Sequence, residues 1–182
     1  MIYIHNKSCR EDILTTILGM SLQYCKESSK KFLDRMESSE EIINIHLHKR
    51  YPDGDCKICP DIVIETESTV YIGESKLKYE PDALNQVEDY VRRLSSLEEF
   101  YYKNKIPLLI IPDRKNLNEW IYHCEDNYCF DMDKQTDRKG KLLKRIGNDY
   151  NSLSDKITMG FIDIEHIVNG SPYDAILREM MK

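Results

Sequence analysis

The stretch Pro60-Asp61-Ile62-Val63-Ile64-Glu65-Thr66-Glu67-Ser68-Thr69-Val70-Tyr71-Ile72-Gly73-Glu74-Ser75-Lys76 decides the reading of this 182-residue chain. Residues 61–65 and 70–77 are rich in β-branched side chains and are separated by four polar residues, the pattern of two strands joined in a hairpin. Whether the loop is Glu67-Ser68 or runs from Thr66 to Thr69, its centre falls between 67 and 68, so Asp61 lies directly across from Glu74. Opposed residues hold their Cβ atoms ~4.5–5.5 Å apart, and two carboxylates there repel. Something positive is expected in the gap. Period-2 alternation puts Lys76 on the same face as Glu74. Ile62, Val63, Ile64, Val70 and Ile72 surround the three charged groups. Two close carboxylates suit a hard cation such as Mg²⁺, which keeps waters and phosphate oxygens as its other ligands. A lysine beside it can orient or deprotonate an attacking water, or stabilise charge developing on phosphate. The competing reading is an edge hairpin whose Glu74 and Lys76 form a solvated pair. The Pro-Asp at the head of the first strand, the spacing that pairs the acids and the apolar flanks favour the catalytic one.

Working outward, Ile13, Leu14, Ile17, Leu18 and Leu22 recur at helical steps, with Ser8, Glu11 and Asp12 suited to a first turn. The helix is expected to continue, with a break, through Phe32, Leu33 and Met36. Residues 42–47 read as a strand with Ile43, Ile45 and Leu47 on one face, and Tyr51-Pro52-Asp53-Gly54-Asp55 as a turn. Pro81 and Asp82 open a helix carrying Leu84, Val87, Val91 and Leu94, and 108–111 is an apolar strand buried on both faces. Further on we expect a segment at 120–122, a basic stretch at 138–145, and a strand at 161–164. A last helix is expected to be capped by Ser171, with Pro172 at its first position. With no repeat or linker, 1–182 reads as a single α/β domain with a mixed sheet.

Pro60-Asp61 followed by Glu74-Ser75-Lys76 on the next strand resembles the PD-(D/E)XK nuclease superfamily, the restriction-endonuclease-like fold. The resemblance covers 11–112, leaving 113–182 as a C-terminal extension, and implies an α-β-β-β-α-β core with a central mixed sheet flanked by helices. It implies that Asp61 and Glu74 bind Mg²⁺ or Mn²⁺, that the Ser75 carbonyl is a further metal contact, and that Lys76 assists the nucleophilic water. Gln86-Val87-Glu88-Asp89-Tyr90 is similar to the QxxxY motif of the RecB-type branch, in which Gln86 and Tyr90 would steady the site. At i, i+4 the two share a helix face. A glutamate on the first helix often completes the metal shell, and Glu11 matches it best; as a first-turn acid it would instead complement the helix dipole. Glu40, Glu41, His46 and His48 are weaker candidates.

Acids outnumber bases 32 to 26, for a net charge of −6, which taken as uniform argues against a phosphate partner. The cations are clustered, however. Arg138, Lys139, Lys141, Lys144 and Arg145 form the densest group, and Arg92, Arg93, Lys103, Lys105, Arg114 and Lys115 lie near the motif elements. Such side chains position phosphates. Tyr101, Tyr102 and Trp120 suit stacking on unpaired bases. The expected partner is nucleic acid, DNA before RNA, with no membrane and with room for a homodimer; binding should be local and dependent on divalent metal. No apolar run approaches the ~20 residues of a membrane span, and MIYIHNKSCR does not read as a signal peptide, so a cytoplasmic location is expected. Among six cysteines, Cys56-x-x-Cys59 with Cys124-x4-Cys129 offers thiols for structural zinc, although the second spacing is loose. Beside the nuclease stand three alternatives: a catalytically idle nucleic-acid- or protein-binding module of the same fold, an RNA endonuclease, and a zinc-stabilised interaction domain.

Overall fold

The computed structural model describes residues 7–54, 56–113, 115, 128–130, 141–144 and 158–182. The chain begins with α1 (Lys7–Tyr24) and α2 (Lys26–Arg35), parted at Cys25, followed by β1 (Asn44–Leu47), β2 (Tyr51–Asp53), β3 (Cys56–Ile58), β4 (Ile62–Glu65) and β5 (Thr69–Ser75). Next come α3 (Pro81–Leu94), a 3₁₀ turn at Glu98–Phe100 and β6 (Asn104–Ile111). The described C-terminal elements are β7 (Tyr128–Phe130), β8 (Lys141–Lys144), β9 (Thr158–Asp163), α4 (Ile164–Val168) and α5 (Asp174–Met180). The sheet order is β1-β4-β5-β6-β9-β8-β7, and β2-β3 form a separate ladder. β1, β4 and β5 run antiparallel, β5, β6 and β9 parallel, and β8 and β7 antiparallel again. Among the described residues no helix is long and apolar enough to cross a membrane.

Alternation along the strands sorts the core into two layers. Ile62 and Ile64 of β4, Tyr71 of β5, and Leu108 and Ile110 of β6 face Leu14, Leu18, Phe32, Ile167 and Leu177 on one side. Val63, Val70 and Ile72 face the other way, onto Leu94, Phe100, Tyr51 and Ile58. β5, α3 and β6 make the parallel crossover that delivers the apolar stripe of α3 to this second face. Beyond the stretch that the resemblance covers, α4 and α5 pack into the same first layer through Ile164, Ile167, Val168 and Leu177.

The β4–β5 register is the expected one, with Ile62 opposite Gly73 and Glu65 opposite Val70. The region before it differs. The Ile43 N–H reaches the Glu65 carbonyl (2.8 Å), although Asn44 is the residue paired with Glu65. Two residues thus oppose one, a bulge. It breaks the expected Ile43–Ile45–Leu47 face: Ile42, Ile45 and Leu47 pack on the core, and Ile43 is exposed. The anticipated turn at 51–55 is the tip of a longer hairpin. Counting on from Leu47 opposite Ile62 leads without slippage to Tyr51 opposite Ile58, so 44–65 keep one register throughout. The hairpin turns at Gly54 (φ +56°) and bends at His48 (φ +49°). Three further boundaries shift. β6 starts at Asn104, earlier than 108; Ile164 opens α4 and does not end β9; and α5 starts at Asp174, two residues after Pro172. Ser171 still accepts a bond before that helix, from the Tyr173 N–H (3.2 Å).

Candidate active site

The hairpin's hydrogen-bond phase places the two acids. The Thr66 N–H donates to the Thr69 carbonyl (2.9 Å), so 66 and 69 are a hydrogen-bonded pair. Counting by twos in the observed register, the next such pairs are 64–71 and 62–73, and then 60–75. Asp61 and Glu74 fall between, in a non-hydrogen-bonded pair, where opposed side chains approach most closely. Pro60, across from Ser75, has no N–H to give the Ser75 carbonyl. The Ser75 N–H turns instead to Oδ2 of Asp61 (2.8 Å). The proline thus ends the ladder, and the aspartate side chain caps the end of β5.

Glu74 is 6 % exposed. Its Oε1 accepts from Lys76 Nζ (2.8 Å) and from Gln86 Nε2 (2.9 Å). The same Gln86 amide donates to the Tyr90 hydroxyl oxygen (2.8 Å), so the i, i+4 pair on α3 holds the glutamate from the second face of the sheet. Oε2 of Glu74 is buried with no hydrogen-bond partner. Burial, and then the Asp61 charge, push the Glu74 carboxyl above its ordinary value against the pull of Lys76 and Gln86. Burial likewise pushes Asp61 up, opposed by the Ser75 N–H, His48 and Lys76. Tyr90 is pushed up to about 12, chiefly by burial, and stays a neutral phenol. Lys76 is itself buried. Its N–H bonds to the Ile110 carbonyl (2.9 Å), and its Nζ also lies 3.9 Å from Oε2 of Glu80.

Helix α1 is fastened to this strand end. Ser75 Oγ and Thr15 Oγ1 are 2.6 Å apart and buried. Thr15 Oγ1 donates to the Glu11 carbonyl (3.1 Å), leaving the Ser75 hydroxyl to donate to Thr15. Glu11 lies beyond the first described turn of α1, and its Oε1 accepts the Leu77 N–H (3.3 Å). A first-turn dipole role therefore does not account for it. Asp12 and His48 stand beside Asp61. His48 is among the weaker sequence candidates, and the sequence marks Asp12 only as a helix-start acid; nothing local in the sequence signals that this turn of α1 meets the head of β4. Glu40 and His46 are not brought to the site. Glu40 accepts from the Ser68 N–H (3.2 Å) at the hairpin's far turn, and His46 pairs with Glu65 (3.1 Å).

Several cations expected near the motif are engaged elsewhere. Arg92 pairs with Asp89, and Arg93 with Asp53 and Asp89. Lys103 donates to Glu65 (2.9 Å) and to the Thr66 carbonyl (2.8 Å), and Lys105 to the Tyr101 carbonyl (3.1 Å). Tyr101 and Tyr102 are exposed but precede Asn104, which pairs with Thr69, whereas the site lies by Ser75 opposite Ile110. Six strand steps separate the two ends, roughly 20 Å. Of the basic cluster, Lys141 and Lys144 lie in β8; Arg138, Lys139 and Arg145 lie outside the described residues, as do Arg114 and Trp120. Cys124, needed for the zinc set, lies outside them too, and the Cys59 thiol donates to the His48 carbonyl (3.2 Å). No family model, curated protein or solved structure matches this chain.

Proposed function

We propose that the chain is a metal-dependent nuclease that hydrolyses phosphodiester bonds, of DNA before RNA, on a restriction-endonuclease-like α-β-β-β-α-β core. The succession supporting that core is α1–α2, antiparallel β1, β4 and β5, then α3 and parallel β6. The observation that carries the function is the Glu74 carboxylate. It is buried opposite Asp61 with one oxygen unpartnered, and burial and the neighbouring acid both disfavour its charge. A buried acid pair with an open oxygen is costly unless a cation neutralises it.

The donor set fits Mg²⁺ or Mn²⁺. Asp61 and Glu74 would be its carboxylate ligands, the Ser75 carbonyl is left without its ladder donor by Pro60, and Glu11 stands at the adjoining strand end. Such an ion supplies charge for the phosphate and a more acidic bound water. The chain's own groups do the rest. Gln86, bonded to both Glu74 and Tyr90, fixes the Oε1 side of the glutamate and so aims Oε2. Lys76 Nζ, held by Glu74, carries protons where an attacking water must be oriented and where negative charge grows on phosphate. We expect Asp61→Asn and Lys76→Ala each to lower Mg²⁺- or Mn²⁺-dependent cleavage of plasmid or single-stranded DNA by about 100-fold or more, with circular dichroism unchanged. A wild type that cuts with no divalent ion, or either variant cutting like wild type, sinks the assignment. Calorimetric titration with Mn²⁺ separates an idle module of the same fold, which would bind none at these residues.

A further inference from the structure

We propose that Glu80 is the positioning residue of Lys76: its carboxylate takes over the ammonium when a cation shares the Glu74 carboxylate, and so keeps the Nζ protons beside the reacting phosphate. The inference rests on the nuclease reading and extends it to a residue outside the motif. Lys76 Nζ stands within reach of two acids. It is 2.8 Å from Glu74 Oε1 and 3.9 Å from Glu80 Oε2. The second distance is beyond a hydrogen bond, yet close enough for a side-chain torsion to close. Glu74 Oε1 also accepts the Gln86 amide (2.9 Å). Lys76 would therefore share one negative charge with any cation on that carboxylate, and would be repelled by it at short range. Glu80 supplies a further negative charge.

The sequence around Glu80 sets up the contact. Pro81 follows it, and a proline drives the preceding residue into extended backbone; Glu80 has φ −139° and ψ 112°. It occupies the N-cap of α3, where Ser, Thr, Asp and Asn serve because their short side chains bond the first helical N–H groups. The Glu80 side chain makes no such bond. Capping thus does not account for a glutamate here. Its side chain is half-buried beside a buried lysine. Both ends of the 76–80 stretch are fastened. The Lys76 N–H donates to the Ile110 carbonyl (2.9 Å), and the Glu80 carbonyl accepts the Ala83 N–H (3.0 Å). Between them the Leu77 N–H donates to Glu11 (3.3 Å). The main chain therefore fixes the spacing of the two charged residues, and only side chains need move.

The test is a double-mutant cycle between Glu80→Gln and Lys76→Ala in the full chain, read in two ways. In Mn²⁺-dependent cleavage of single-stranded DNA, Glu80→Gln is expected to lower kcat by about 10-fold. KM and calorimetric Mn²⁺ affinity should stay unchanged, and the substitution should have no further effect on Lys76→Ala. In thermal melts, Glu80→Gln should lower the wild-type midpoint more with Mn²⁺ than without it, a difference that vanishes in Lys76→Ala. A glutamate that only supports α3 would cost the same in either lysine background, with or without metal. That result, or a change confined to KM or to Mn²⁺ affinity, overturns the proposal and leaves the nuclease reading standing. A wild type that binds Mn²⁺ and never cuts removes the nuclease reading, and the melts still decide the Lys76–Glu80 contact. A wild type that binds no Mn²⁺ overturns both.

Discussion

Glu74 is the side chain on which most of the chemistry converges. Its folded-state value lies above that of the unfolded chain, as does that of Asp61. Between the unfolded and folded values the native state binds more protons, so for this pair stability falls as pH rises through that window and is greatest below it. The expected outcome is a metal-free protein whose melting temperature includes a decline as pH rises above the ordinary carboxylate range, which Glu74→Gln flattens. The same substitution should raise the metal-free melting temperature at pH 7 by a few degrees, since it removes a buried charge while keeping the shape. Saturating Mn²⁺ should raise the wild-type value and close much of that gap; at about 100 times the dissociation constant the linkage amounts to ~2.7 kcal/mol. Calorimetric melts across pH, with and without Mn²⁺, check both statements. A metal-free variant no more stable than wild type would show that the Glu74 charge is not strained.

Among the elements, α1 and the β4–β5 hairpin must stay in register with each other. The Thr15–Ser75 hydroxyl pair is fully buried, so Thr15→Val leaves the Ser75 hydroxyl without its acceptor. We expect a loss of about 1–3 kcal/mol in urea unfolding, with Thr15→Ser close to wild type. Gly73 is a second joint. A Cβ there would stand 2.8 Å from Ile62 Cγ2 and 3.0 Å from Ile110 Cδ1. Gly73→Ala should therefore cost about 1–3 kcal/mol by overpacking and disturb Glu74 next to it, which the same unfolding curves and Mn²⁺ affinity will register. The strands were legible where alternation was unbroken. The strand at 42–47 was legible only in part, because a bulge is decided by how the partner strand's Glu65 carbonyl is shared and leaves no mark in the hydrophobic pattern.

At the scale of the whole molecule, the C-terminal helices belong to the same core as the motif strands. Arg10 Nη2 donates to the Met180 carbonyl (2.7 Å) and Lys31 Nζ to the Asn169 carbonyl (2.7 Å), and Arg35 meets Asp163 at 3.5 Å. Leu177, 2 % exposed, fills the layer under α1. Leu177→Ala should destabilise the entire chain by about 2–5 kcal/mol, with a single cooperative transition retained. A separate early transition, leaving the β4–β5 core intact, would show instead that residues after 112 form a detachable extension.

The sequence by itself determined the hairpin register, the opposition of Asp61 to Glu74, the helix bearing Gln86 and Tyr90, and the buried strand before Pro112. These are consequences of period, turn position and residue spacing, which act over a few residues and so can be counted along the chain. Only the tertiary structure decided that Glu74 keeps one buried oxygen open, that α1 brings Glu11 to the Leu77 N–H and Asp12 beside Asp61, and that His48 bends into line with Asp61. It also decided that Lys103 and Arg93 are occupied by Glu65 and Asp53. Each of those depends on which distant surfaces meet, and a charged side chain looks the same in sequence whether it faces water, a buried partner or a metal.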